Sequence, residues 1–93
     1  MLNFDMSTMS EQSLINCDIA TDLLDNVSVI AKRMSISGKI SDKMENDILM
    51  ECAALRGELQ AHITKGEIKT SFLDKVRRET KRLIEEMQPK EEE

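Results

Sequence analysis

The sequence predicts an all-α fold, a small antiparallel three-helix bundle or helical hairpin completed by dimerisation. Three observations carry that expectation. Apolar residues recur three and four apart in three separate segments, the period of a helix with one buried face. Gly38 and Gly66 fall between those segments and the single proline, Pro89, follows the last, so the breakers sit where helices should end. Phe4 and Phe72 are the only Phe, Tyr or Trp residues, so Leu, Ile, Val, Met and Ala must build the core. A core of that kind in 93 residues is thin, and a second copy or a partner chain is the usual remedy.

Residues 1–9 read as a flexible N-terminal segment. Leu2, Phe4 and Met6 alternate with Asn3 and Asp5, a strand-like pattern too short to stand alone. The functional alternative is that this acidic and apolar peptide docks on a partner or tucks back onto the helices.

The first helix is expected over 11–34, within a single helical domain of residues 10–88. Ser10 can cap it and Glu11 suits its first turn. Its stripe is Ile19, Leu23, Val27, Ile30 and Met34, widened by Leu14, Ile15 and Leu24, as for a helix facing two neighbours. Lys32 and Arg33 suit the C-terminal pole. Asn26 and Ser28 are weak helix formers that mark a local break. Ser35 to Lys39 then forms a short loop around Ser37-Gly38.

The second helix, 42–64, is the best patterned. Met44, Ile48, Cys52, Leu55 and Leu59 lie on one stripe. Ser41 and Asp42 offer caps, with Glu45 three residues beyond Asp42 in capping-box spacing. Gly57 weakens the helix by about 1 kcal/mol relative to alanine, which close approach of another helix would explain. Thr64-Lys65-Gly66 supplies the stop.

The third helix, 71–87, is capped by Thr70 or Ser71 and carries Leu73, Val76, Thr80, Leu83 and Met87. Asp74–Arg78, Lys75–Glu79, Lys81–Glu85 and Arg82–Glu86 are spaced as ion pairs. Pro89 ends it, and residues 89–93 read as an acidic disordered tail. Positions 52, 59, 66, 73, 80 and 87 share one heptad register, so a rod about 70 Å long is the alternative to a hairpin. Gly66 and Lys69 in that seam favour the hairpin.

Chemistry is sparse. Cys17 and Cys52 are the only cysteines and His62 the only histidine. They lack metal-ligand spacing and read as two free buried thiols and a packed imidazole. Phosphate-loop and nucleophile motifs are missing, so the expectation is a non-enzymatic chain without cofactor or metal. No apolar run approaches the roughly 18 residues of a membrane span, and the N-terminus does not resemble a secretory signal. The expected location is the cytoplasm.

Charge is unevenly spread. The formal total is −5, and Asp5, Glu11, Asp18, Asp22 and Asp25 precede the first basic residue, Lys32. Lys75, Arg77, Arg78, Lys81 and Arg82 concentrate positive charge on the third helix, making them the candidate contacts for a protein partner or nucleic acid. Packing of this basic helix beside the acidic first one is the plain structural alternative. Leu23, Val27, Ile30, Ile48, Cys52, Leu55, Leu59, Val76 and Leu83 are the candidate helix-packing or dimer seam. The sequence therefore points to a small interaction protein, a regulator, adaptor or inhibitor that binds another macromolecule. A DNA-binding regulator using the basic helix and a small helical chaperone are the alternatives.

Overall fold

Each helix begins and ends where the backbone finds a partner for its orphan groups. The structure, a computed structural model, describes residues 9–88; the expectations for residues 1–8 and 89–93 lie outside the described residues. Three helices follow one another, α1 (Glu11–Ile36), α2 (Asp42–Lys65) and α3 (Thr70–Met87). The Ser10 hydroxyl accepts from the Ser13 amide at 3.1 Å, and the Ser41 hydroxyl does the same for Met44 at 3.1 Å. Asp42 lies inside the first turn of α2, accepting from the Ser35 hydroxyl at 3.1 Å, so the expected Asp42–Glu45 box is replaced by a plain serine cap. Neither Thr70 nor Ser71 caps α3. Its N-cap is Lys69, without a side-chain bond, because Thr70 is already helical and its hydroxyl accepts from Asn16 at 3.5 Å.

Both connections turn on a left-handed glycine. Gly38 has φ 77° and Gly66 φ 84°. At each, the glycine amide and the next amide bond back to carbonyls of the preceding helical turn, Gly38 to Ser35 and Lys39 to Met34, Gly66 to Ile63 and Glu67 to His62. This paired closure is favoured by a residue without a Cβ. The chain is therefore a hairpin at Gly66. Gly57 has a different explanation from the one its sequence suggests: it is exposed, and a Cβ built there meets nothing within 4 Å, so no helix approaches it. Nor does α1 break at Asn26 or Ser28. The Ser28 hydroxyl donates to the Leu24 carbonyl at 3.0 Å and the helix continues through it to Ile36.

α1 lies between the other two helices and packs along both, whereas α2 and α3 touch sparsely. Ion pairs tie α2 to α3 across that gap, Lys75–Glu58 at 2.7 Å and Arg82–Glu51 at 2.6 Å. Their numbering rises on one helix as it falls on the other, so the two run antiparallel. Arg56 of α2 reaches Asp25 at 3.0 Å and the Ser28 hydroxyl at 3.2 Å on α1.

The buried faces of α2 and α3 are the predicted stripes. Ile48, Cys52, Leu55 and Leu59 are buried on α2, and Leu73, Val76, Thr80, Leu83 and Met87 on α3, joined by Phe72. α1 is rotated from its expected stripe. Its buried line runs through Ser13, Asn16, Cys17, Ala20, Leu24, Val27 and Ala31, leaving Leu23 and Ile30 only half-buried. A central helix must admit a neighbour on each side, and small side chains let both approach its backbone. Met9, assigned by sequence to the flexible segment, is buried and joins the same core. His62 is half-buried, its ring 4.4 Å from that of Phe72, where the end of α2 meets the start of α3.

Candidate functional site

The five basic residues of α3 do not form one surface. At 100° per residue they divide between the side of α3 that faces α2 and the side that faces out beside α1. Lys75 and Arg82 belong to the first group. Lys75 pairs with Glu58, and Arg82 bridges Glu51 of α2 at 2.6 Å, Glu79 at 2.9 Å and Glu86. The hydrogen bonds that Arg82 donates to Glu79 and Glu51 raise its pKa further above the ordinary value. Of the four ion pairs spaced along α3, Arg82–Glu86 forms, while Lys75 turns to Glu58 across the helix gap. The acidic partners of the basic helix are thus on α2 and on α3 itself, not on α1.

Arg77 and Lys81 belong to the second group. With Leu23 of α1 and Thr80, Ile84 and Glu85 of α3 they line an open groove of about 330 Å³. Its floor is apolar and its rim carries the two cations. Arg78 is exposed on the adjoining surface. Elsewhere on the same side of α1, Ile15 is 44% exposed and Ile19 and Ile30, like Leu23, are half-buried. A second groove of about 290 Å³ lies between α2 and α3, lined by Glu51, Ala54, Leu55, Glu58, Lys75 and Glu79. Its walls are the ion-paired side chains, so its charge is already satisfied from within. Ile36 and Met50 are exposed singly at the end of α1 and on α2, which is ordinary for a protein surface.

Val27, Ile48, Cys52, Leu55, Leu59, Val76 and Leu83 of the predicted seam are interior residues of a single copy. Leu23 and Ile30 alone of that set reach the surface, both on the α1 flank beside α3.

Cys17 and Cys52 are buried free thiols. Burial pushes the pKa of each up, against smaller opposing hydrogen bonds from Thr21 and Ser28 respectively. A protonated, covered sulfur is a packing atom rather than a nucleophile. Among the described residues no group of three or more His, Cys, Asp or Glu side chains could hold a metal ion. No helix there is long and apolar enough to cross a membrane.

One polar cluster escapes sequence reasoning. Ile68, in the α2–α3 connection, donates its amide to the Ser13 hydroxyl at 3.0 Å and receives the Asn16 amide on its carbonyl at 2.9 Å. Gln12 in turn donates to the Asn16 side-chain oxygen at 2.9 Å. Ser13 and Asn16 lie one turn apart on α1 and clamp both backbone groups of a buried residue. The only signal in the sequence was their place within the α1 period, where they read as polar-face residues.

Comparison with known protein families, with curated proteins and with solved structures gives no match.

Proposed function

We propose that this chain is a small non-enzymatic interaction protein, a regulator, adaptor or inhibitor, that binds a protein partner through the α1–α3 face and self-associates. The observation that supports it is the groove over Leu23 and Ile84 with Arg77 and Lys81 on its rim. An apolar strip flanked by charge is how helical surfaces recognise other amphipathic surfaces. Nucleic-acid binding is the weaker reading, because Lys75 and Arg82 are engaged by four carboxylates and are not free to follow a phosphate backbone. Two buried free thiols fit a reducing compartment, and we place the protein in the cytoplasm.

The test is affinity capture from the native cell with the full chain, read at low and moderate salt, beside Leu23→Asp and Arg77→Gln/Lys81→Gln variants. A protein retained at moderate salt by the wild type and lost from Leu23→Asp is the expected result. Equal retention by all three chains would refute the assignment of this face. Nucleic acid released steeply by salt would favour the other reading.

A further inference from the structure

The α1–α3 face is self-complementary in charge. Along α1, Ile15, Ile19 and Leu23 advance around the helix by about 40° per step toward α3. Asn16 and Leu23 contact the α3 side, and Asp25 and Ser28 contact α2. Asp22 and Asp18 therefore fall within about 60° of Ile15 on the side away from α3. Both are exposed, and neither appears in an ion pair among the described residues. Across the face the order is an acidic edge on α1, an apolar strip, and a basic edge of Arg77 and Lys81 on α3. Asp74 and Glu85 dilute the basic edge without reversing it, since Arg78 adjoins it.

The two edges are also level. α1 and α3 run parallel, as the pairing of Asn16 with Thr70 and of Leu23 with residues 77–85 shows. Leu23 is the α1 residue that lines that groove, with Arg77, Thr80, Lys81, Ile84 and Glu85 of α3. At 1.5 Å per residue, the two contacts together put Lys81 about 2–8 Å from the height of Asp22, and Arg77 about 2–8 Å from that of Asp18, within the reach of long basic side chains.

From this geometry we propose that the face binds a second copy of the chain about a two-fold axis parallel to the helices, setting Asp18 and Asp22 of each copy against Arg77 and Lys81 of the other. Such a rotation preserves height and exchanges left for right, so α1 of one copy faces α3 of its partner at matching levels. The interface is isologous, with each charged contact made twice. The alternative two-fold axis, across the helices, would set acid on acid and base on base. The footprint, the length of α3 by the width of two helices, is about 27 Å by 20 Å. That is at the low end for a specific interface, and because its contacts include exposed charge pairs the dimer weakens with salt. The inference rests on the reading of this face as an interaction surface and names its occupant.

The experiment is sedimentation equilibrium of the full chain from low to high micromolar concentration, with helicity checked by far-ultraviolet circular dichroism. Wild type should dimerise. Asp18→Lys/Asp22→Lys and Arg77→Glu/Lys81→Glu should each weaken association by at least about tenfold, since each sets like charges opposite one another. The chain carrying all four changes should dimerise again, because the contacts are restored with their signs exchanged. Should that chain fail to fold, an equimolar mixture of the two double variants gives the same rescue as a heterodimer. A monomeric wild type, double variants that dimerise like it, or a folded four-fold variant that stays monomeric would each overturn the proposal. A monomer that still loses a captured protein on Leu23→Asp would overturn the dimer alone and leave the broader reading standing.

Discussion

Replacing Asn16 by alanine isolates the clamp on the α2–α3 connection. The Asn16 amide is the donor to the Ile68 carbonyl at 2.9 Å, and both residues are 1% exposed. Truncation leaves that carbonyl in the interior without a donor, a loss of about 1–3 kcal/mol. For a chain of this size each kcal/mol lowers Tm by about 4–8 °C, so a central value near 2 kcal/mol corresponds to about 8–16 °C. The assay is thermal and urea unfolding followed by circular dichroism. Gln12→Ala is the control: Gln12 is exposed and its bond to Asn16 is dispensable, so its Tm should stay near that of the wild type. Asn16→Leu is the decisive variant, because it keeps the branched shape, leaves no empty space, adds apolar area, and still removes the donor. It must destabilise as well. An Asn16→Leu protein as stable as the wild type would show that filling the space was what mattered, and would refute the hydrogen-bond argument.

Gly57 and Gly66 should respond to alanine with opposite signs. A Cβ meets nothing within 4 Å at either, so only the backbone decides: Gly57→Ala gains about 1 kcal/mol in a helix interior, and Gly66→Ala, at φ 84°, loses about 1 kcal/mol; paired Tm measurements check both. The two thiols make stability fall in alkali. Folding holds their pKa above the ordinary 9.0, so their contribution is complete below that value and is lost as the unfolded thiols ionise above it; urea midpoints that do not fall between neutral pH and pH near 10 would contradict this. Lys75→Gln with Glu58→Gln should change stability by less than about 1 kcal/mol, while Arg77→Gln with Lys81→Gln should leave Tm unchanged and reduce partner binding.

The parts of the fold that depend on one-dimensional period were readable from the chain. α2 and α3 each face the core on a single side, and their large apolar residues mark that side unambiguously. α1 faces inward on a line rotated from its largest apolar residues: of the expected stripe and its flank only Val27 and Leu24 are fully covered, together with Ala20 and Ala31. Alanine carries little weight in a periodic reading, and Ser13 and Asn16 carry the wrong sign. Their burial depends on Ile68, more than 50 positions away, a contact that no local window contains. The same holds for the basic residues. Spacing along α3 suggested Lys75–Glu79, yet Glu58 on α2 takes the lysine, and only the fold shows which cations remain for a partner.

The rotation of α1 explains why an apolar face is left over at all. Had Leu23 and Ile30 filled the centre, the helices would have been held apart by large side chains and the flank beside α3 would have been polar. With Ala20, Leu24, Val27 and Ala31 fully covered at the centre instead, α2 and α3 pack along that line and Leu23 and Ile30 are turned outward. Ile15, Ile19, Leu23 and Ile30 then gather on one flank, next to Ile84 of α3. Among the described residues no further element covers that flank. Meanwhile Lys75 and Arg82 are paired with carboxylates of α2 and α3, so among the described residues Arg77, Arg78 and Lys81 are the α3 cations without an ion pair, and Arg77 and Lys81 border the same flank. One packing choice on α1 and one set of ion pairs on α3 thus leave both kinds of recognition chemistry on a single surface, which is why the interaction is assigned there and not to the α2–α3 groove.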